Sequence, residues 1–136
     1  MKRIFILLLA LLFTLSGCSP VANTAAAEQA VPQFHQLLDA GHFSEIYELS
    51  SEDLKKVASK QDFLVLLEAV HRKLGNTKSS EMQSLNITYK TSGTFVTLVY
   101  KTNFAEAEAS ERFVFRMRDK AALLAGYYIN SNALLK

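Results

Sequence analysis

The spacing of apolar residues changes twice along this chain of 136 residues. Residues 4–13 form one unbroken apolar run, and in the following stretch apolar residues recur every three or four positions. After Gly75 they alternate with polar residues instead. A period near 3.6 indicates amphipathic helices, and a period of 2 indicates strands. The pattern therefore predicts an apolar leader, then helices, then a sheet.

Three helices and a short turn are predicted. The first helix spans residues 22–40 and contains Pro32, which either kinks the helix or opens it at its first turn; we expect a kink. Ser44 is expected to cap a short turn through Leu49, and a second, short helix covers residues 50–58. The last helix begins with the capping box Ser59-Lys60-Gln61-Asp62. Its apolar stripe consists of Phe63, Leu66, Leu67, Val70 and Leu74.

Four strands are predicted after the helices. Residues 85–90 alternate, and Thr91-Ser92-Gly93 is typical of a hairpin turn. Residues 94–104 are apolar on both faces, which predicts a strand in the middle of the sheet. The third strand covers residues 110–118 and the last covers 123–130. The predicted fold class is α+β, with N-terminal helices packed on a curved antiparallel meander of about four strands.

The apolar run at residues 4–13 is too short to span a membrane. Ten helical residues cover about 15 Å, whereas a hydrocarbon core is about 30 Å thick. Two basic residues precede the run and small residues follow it, as in a secretory signal. The tetrad Leu15-Ser16-Gly17-Cys18 resembles a bacterial lipobox, after which a signal peptidase cuts and leaves the cysteine as the lipidated first residue. The alternative is an ordinary secretory signal followed by a chance cysteine.

The lipobox predicts the domain organisation. Residues 1–17 are a lipoprotein signal peptide, residues 18–23 are the lipidated Cys18 and a tether, and residues 24–136 are one α+β domain. Cys18 is the only cysteine, which leaves an exported chain no disulfide, thiol nucleophile or cysteine metal site. Ser19 follows it, which resembles lipoproteins that are passed on to the outer membrane. We expect a lipid anchor in the outer membrane, with the domain facing the periplasm.

Composition and charge mainly exclude classes of protein and of partner. Apolar residues make up 49% of the chain and charged residues 21%, which is typical of one ordinary globular domain. The formal net charge of +2 equals the charge of Lys2 and Arg3, so the rest of the chain is neutral. A nucleic-acid partner is not expected. The expected partners are the membrane, through Cys18, and another envelope protein or a small ligand; no cofactor is expected.

Three segments resemble small exported proteins of unknown function in the nuclear-transport-factor-2-like, or cystatin-like, superfamily. They are Leu38-Asp39-Ala40-Gly41-His42-Phe43 before Tyr47, Lys73-Leu74-Gly75 at a helix end, and Leu124-Ala125-Gly126-Tyr127-Tyr128-Ile129 near the C-terminus. The resemblance implies a cone-like domain of helices on a curved sheet. The superfamily includes enzymes, ligand-binding proteins and interaction modules, so the resemblance implies no particular chemistry.

Candidate acid-base and metal-binding residues are few. His35, His42 and His71 stand singly and match no local metal motif, so we expect exposed helix or loop positions and no metal site. Glu106 and Glu108 share one face if their segment is extended. Such a pair suits general acid-base catalysis, and the alternative is a solvated hairpin end.

Arginines form the candidate binding face. Arg112, Arg116 and Arg118 alternate with apolar residues along the third strand, so they share one face. Such a row can bind an anionic ligand or headgroup; the alternative is a solvent face paired with neighbouring strands. The five tyrosines could mark a pocket in the cone or serve as core and rim residues. They are Tyr47, Tyr89, Tyr100, Tyr127 and Tyr128.

Two functions from different classes follow. The first, which we favour because no catalytic motif is present, is a lipid-anchored binding or scaffolding module that is not an enzyme. It would act through a small pocket between helices and sheet or through the outer face of the sheet. The second is a small envelope enzyme that uses a tyrosine and a carboxylate in the cone. Convergent buried polar groups would favour the enzyme, and a pocket filled by side chains would favour the binding module.

Overall fold

The computed structural model describes residues 24–136 as four helices followed by a four-stranded sheet, which confirms the α+β prediction. The predicted signal peptide, Cys18 and the tether lie outside the described residues. No helix in the described part is long and apolar enough to cross a membrane. The helices are α1 (Thr24–Asp39), α2 (Phe43–Glu48), α3 (Glu52–Val57) and α4 (Lys60–Leu74). The strands are β1 (Thr77–Lys90), β2 (Gly93–Phe104), β3 (Glu108–Arg118) and β4 (Ala121–Asn130), and a 3₁₀ helix covers Asn132–Leu135.

Helix α4 begins with the predicted capping box. Ser59 Oγ accepts a hydrogen bond from the Asp62 backbone N–H (3.1 Å) and donates one to the Asp62 carboxylate (2.7 Å). The predicted stripe is buried except at Leu66, which is 36% exposed. Leu66 lies at the margin of the stripe, beside a groove between α4 and β4.

The link between α1 and α2 differs from the prediction. Helix α2 begins at Phe43, and Ser44 lies inside it rather than capping it. Gly41 has a φ of 75°, and the His42 N–H donates to the Leu37 carbonyl (2.8 Å), which closes the end of α1. The chain therefore enters α2 directly, and no side chain caps that helix.

The sheet is an antiparallel meander in the order β1-β2-β3-β4. As predicted, β2 lies inside the sheet. Strand β1 begins at Thr77, well before the predicted start at residue 85. Most of its early side chains are polar and exposed, so backbone pairing with β2 forms this part rather than burial, and burial is what alternation detects.

The core lies between the helices and the inner face of β2, β3 and β4. Phe34 of α1 packs edge-on against Phe113 at 5.1 Å between ring centroids. The largest fully buried apolar side chains are Phe113, Leu38, Leu54, Leu67, Leu74, Leu98, Val31, Val70 and Val96. Helix α3 covers the free edge of β4, where the Ser51 N–H donates to the Leu124 carbonyl (2.9 Å). The helices leave most of the outer face of the sheet uncovered.

Candidate functional site

The three candidate arginines lie on the outer face of β3. The side chains of Phe113 and Phe115 point to the opposite face and are buried, as the alternation predicts. Arg112 and Arg118 are exposed, and Arg116 is half-buried. The row exists as predicted, but its members have different surroundings.

Arg116 forms an ion pair with Asp53 of α3. Its Nε and Nη2 both donate to the carboxylate, with Nη2 at 2.8 Å from Oδ1, and Nη1 donates to the Ser92 carbonyl (2.6 Å). Its guanidinium carbon also lies 4.7 Å from the centroid of the Phe95 ring. The hydrogen bonds from Arg116 hold the pKa of Asp53 well below its usual range. Arg116 is thus committed to a partner within the chain, and that partner is on a helix rather than on a neighbouring strand.

Arg112 has a different environment. Its guanidinium carbon lies 4.2 Å from the centroid of the Tyr128 ring, directly across the β3-β4 pairing. No carboxylate in residues 24–136 lies within ion-pair distance of Arg112 or Arg118. Arg112 therefore combines a fixed position with an uncompensated charge.

Between these arginines, the outer face carries a depression that we name the outer trench. Its volume is about 400 Å³. Thr97, Val114 and Gly126 form its floor because they occupy one register row of β2, β3 and β4. Val57 of α3 overhangs one end and is 83% exposed.

The inner face holds a polar feature that the sequence patterns did not predict, which we name the buried cluster. Glu111 is completely buried and accepts hydrogen bonds from Thr102 Oγ1 (2.6 Å) and Tyr127 OH (2.7 Å). His35 Nε2 lies 2.7 Å from Glu111 Oε2, the oxygen that also accepts the hydrogen bond from Thr102. Ser80 Oγ lies 3.0 Å from Thr102 Oγ1 and completes the chain of contacts. Side chains from α1, β2 and β4 therefore contact this carboxylate of β3, and exposed Ser80 of β1 reaches it only through Thr102.

The buried cluster raises the pKa of Tyr127 well above its usual value. Burial disfavours the phenolate, and the neighbouring Glu111 carboxylate adds charge repulsion and accepts the hydroxyl proton in a hydrogen bond. Tyr127 therefore stays a hydrogen-bond donor. Three donors lie around this carboxylate, so its burial is compensated by hydrogen bonds that a lone buried charge would lack.

A surface groove lies beside the buried cluster. A groove between α3, α4 and β4, which we name the edge groove, has a volume of about 390 Å³ and is lined by Leu54, Phe63, Leu66 and Tyr127 among others. Tyr127 is the one cluster residue among its lining residues. A pocket between the helices and the sheet was expected, and a cavity under α1 and α2 has about 80 Å³ and an apolar lining with Gln33 at its side.

The other candidates do not assemble into a site within residues 24–136. His35 is buried in the cluster, and His71 packs at 5.9 Å from the Phe43 ring with a buried Nδ1, so the prediction of exposed histidines is wrong for both. Glu108 pairs with Lys101 (3.1 Å), whereas Glu106 lies in the preceding bend. No group of three or more His, Cys, Asp or Glu in the described part could hold a metal ion.

A family model described as a protein of unknown function (DUF4019) matches residues 30–127. The chain belongs to the DUF4019 family. No curated protein matches the chain. The DUF4019 match contains His35, Thr102, Glu111 and Tyr127, and it begins after Cys18.

Two periodic signals in the DUF4019 domain point to the buried cluster. In α1, His35 stands four residues after Val31 and three before Leu38, which are both buried, so it lies on the apolar stripe. In β3, stepping back by two from Phe113 reaches Glu111. Extending both patterns places a histidine and a glutamate inside the core. A polar residue in phase with an apolar stripe is therefore the signal that the sequence offered.

Proposed function

We propose that the protein is a lipid-anchored, exported binding or scaffolding module of the cell envelope that does not catalyse a reaction. The contrast between its two sheet faces carries the proposal. On the inner face, apolar side chains fill the space and a carboxylate is enclosed by its own donors. On the outer face, an open trench lies beside an arginine without an acidic partner in the described residues. Binding by the outer face needs no rearrangement of the core.

The lipid anchor is proposed to be Cys18. It ends a segment with the basic start, apolar run and small residues of a lipoprotein signal. Each buried methylene contributes about 0.8 kcal/mol, so several acyl chains on one residue would hold a neutral domain at a membrane. Ser19 supports the outer membrane as the destination, with the domain in the periplasm.

The order of elements supports placing this domain in the nuclear-transport-factor-2-like superfamily. Helices come first, and an antiparallel meander curves around them. This architecture hosts both binding proteins and enzymes, so the proposed role rests on the sheet faces rather than on the fold.

Metabolic labelling with a palmitate analogue tests the anchor. We expect label on the wild-type protein and none on Cys18→Ser, with Ser19→Ala as a control that keeps the label. Equal label on wild type and Cys18→Ser would contradict a lipid on this residue. In the same cells, Ser19→Asp is expected to move the protein to the inner-membrane fraction of a density gradient, and an unchanged position would contradict the proposed sorting.

The second candidate function, an enzyme using a tyrosine and a carboxylate, is favoured by the convergence of buried polar groups on Glu111. Tyr127 OH lies 2.7 Å from Glu111 Oε1, and Tyr127 also lines the edge groove. Nitration of the native protein by tetranitromethane distinguishes the two functions. A sealed cluster predicts rapid nitration of exposed Tyr89 and protection of Tyr127. Equal nitration of both residues would show that the groove opens onto the cluster and would favour the enzyme.

A further inference from the structure

The outer face of the sheet is ordered into rows by its strand register. Thr97 pairs with Val114, and Val114 pairs with Gly126, so two short side chains and a glycine form the trench floor. The row on one side contains Phe95 and Arg116, and the row on the other contains Arg112 and Tyr128. These two rows are separated by four residues along β2 and β3, or about 13 Å at about 3.3 Å per residue. Large side chains therefore stand on both sides of a low floor.

A backbone irregularity helps to keep the floor low. The β3-β4 register shifts between Val114 and Phe115, so Ala125 is an extra residue on β4. Gly126 follows it, and a Cβ on Gly126 would lie 3.2 Å from Cε2 of Tyr128. A side chain at this position would push against the Tyr128 ring and begin to fill the trench.

The trench is apolar at its base and basic at its margins. Val57, Phe95, Val114 and Tyr128 supply apolar surface, and Tyr128 is 54% exposed. Lys90 lies at one side, with its Nζ 5.2 Å from the centroid of the Phe95 ring. No acidic side chain of residues 24–136 lies within ion-pair distance of Lys90.

The charges around the trench do not cancel. Asp53 is the acidic residue in its lining, and its charge is already compensated by Arg116. This leaves two uncompensated cations: Lys90, which lines the trench, and Arg112, which lies outside the lining but over the ring of the lining residue Tyr128. A guanidinium that lies over an aromatic ring still presents N–H groups in its own plane, and a carboxylate can accept two of them.

We propose that the outer trench binds small apolar carboxylates, with the apolar body over Val114 and Gly126 and the carboxylate on Arg112. This inference rests on the proposed role as a binding module and names its ligand class. Apolar surface supplies the driving force, and the two cations select an anion over a neutral molecule of the same shape. Arg116 is not an anion ligand because Asp53 and the Ser92 carbonyl occupy its donors.

Calorimetric titration of 2-naphthoate into the full chain in detergent micelles tests the site, with empty micelles as the blank. We expect saturable binding, and at least tenfold weaker binding of 2-naphthamide, which keeps the rings but lacks the charge. Arg112→Gln should weaken 2-naphthoate binding about tenfold. Arg118→Gln removes the same charge from the same strand face outside the trench, so binding should remain within twofold of wild type.

A second pair of variants tests the floor. Val114→Phe should fill the trench and weaken binding at least tenfold, whereas Val114→Thr keeps the branched shape and should retain it. Thermal unfolding midpoints of both variants, compared with wild type, show whether either change disturbs the fold. Arg112→Gln does not alter the floor, so it tests the site even if Val114→Phe unfolds the domain.

The results separate this inference from the lipid anchor. No heat above the blank, equal binding of the amide, or equal losses in Arg112→Gln and Arg118→Gln would overturn the trench as a carboxylate site. Palmitate label on Cys18 together with no naphthoate binding would support the proposed lipid anchor and contradict the proposed ligand class. Naphthoate binding without label would leave the ligand and remove the anchor.

Discussion

On each of its two faces, strand β3 carries one residue that pairs with a side chain from a helix, and the two pairs differ in environment. On the inner face, Glu111 meets His35 with no exposed surface on the carboxylate. On the outer face, Arg116 meets Asp53 where water reaches both side chains. A buried charge that loses its partners has no water to replace them, whereas an exposed charge does. We therefore expect the His35–Glu111 contact to contribute strongly to the stability of the core and the Arg116–Asp53 contact to contribute little.

Removing the carboxylate of the buried cluster should have the largest effect. Glu111→Ala would leave the donors of His35, Thr102 and Tyr127 buried without an acceptor, so we expect the free energy of unfolding to fall by about 3 to 5 kcal/mol. Chemical denaturation measures it. Glu108→Ala on the same strand removes an exposed carboxylate and should cost about 0.5 kcal/mol or less. Similar losses in both variants would show that the cluster is not a distinct stabilising unit.

Removing one donor of the cluster should have an intermediate effect. Tyr127→Phe keeps the ring but takes one hydrogen bond from Glu111, which should cost about 1 to 3 kcal/mol at neutral pH. Tyr128→Phe, the exposed neighbour, is the matched control and should stay within about 0.5 kcal/mol. If the two tyrosine variants denatured alike, the hydroxyl of Tyr127 would contribute nothing in the core.

The cost of Tyr127→Phe should also depend on alkaline pH. The pKa of Tyr127 is raised in the folded state by burial, so above the ordinary value of about 10 the unfolded state loses its proton first. Wild type then loses stability as the pH rises, and Tyr127→Phe lacks this contribution. The stability gap between them should narrow above about pH 10, and a gap that widens there would contradict the raised pKa.

Breaking the outer pair should have the smallest effect. Asp53→Asn is expected to cost about 0.5 to 1 kcal/mol at neutral pH because both side chains are partly solvated. Arg116 lowers the pKa of Asp53 in the folded state, so the contribution is complete above the ordinary value near 3.9 and is lost as the pH falls toward the folded value. Urea denaturation between pH 6 and pH 2 should show the difference from wild type shrinking. A difference that grew on acidification would mean that the pair does not stabilise the ionised carboxylate.

Part of the candidate site could be predicted from the sequence. Alternation along β3 was enough to place Arg112, Arg116 and Arg118 on one face. It could not show that Arg116 is paired and Arg112 is not, because Asp53 belongs to a helix 63 positions earlier. The trench could not be predicted either, because its floor depends on the pairing register of three strands and on the extra residue Ala125.

The sequence by itself determined the α+β order of elements and most of the apolar faces. These properties depend on residues a few positions apart, such as the Ser59 cap and the stripe of α4, and local contacts already favour them. Only the tertiary structure decided which charges are enclosed and which are open. His35 and Glu111 are 76 positions apart, and their contact exists because α1 crosses the inner face of the sheet. A local pattern can mark both residues as inward-facing, but the distance that pairs them is set by the packing of the whole domain.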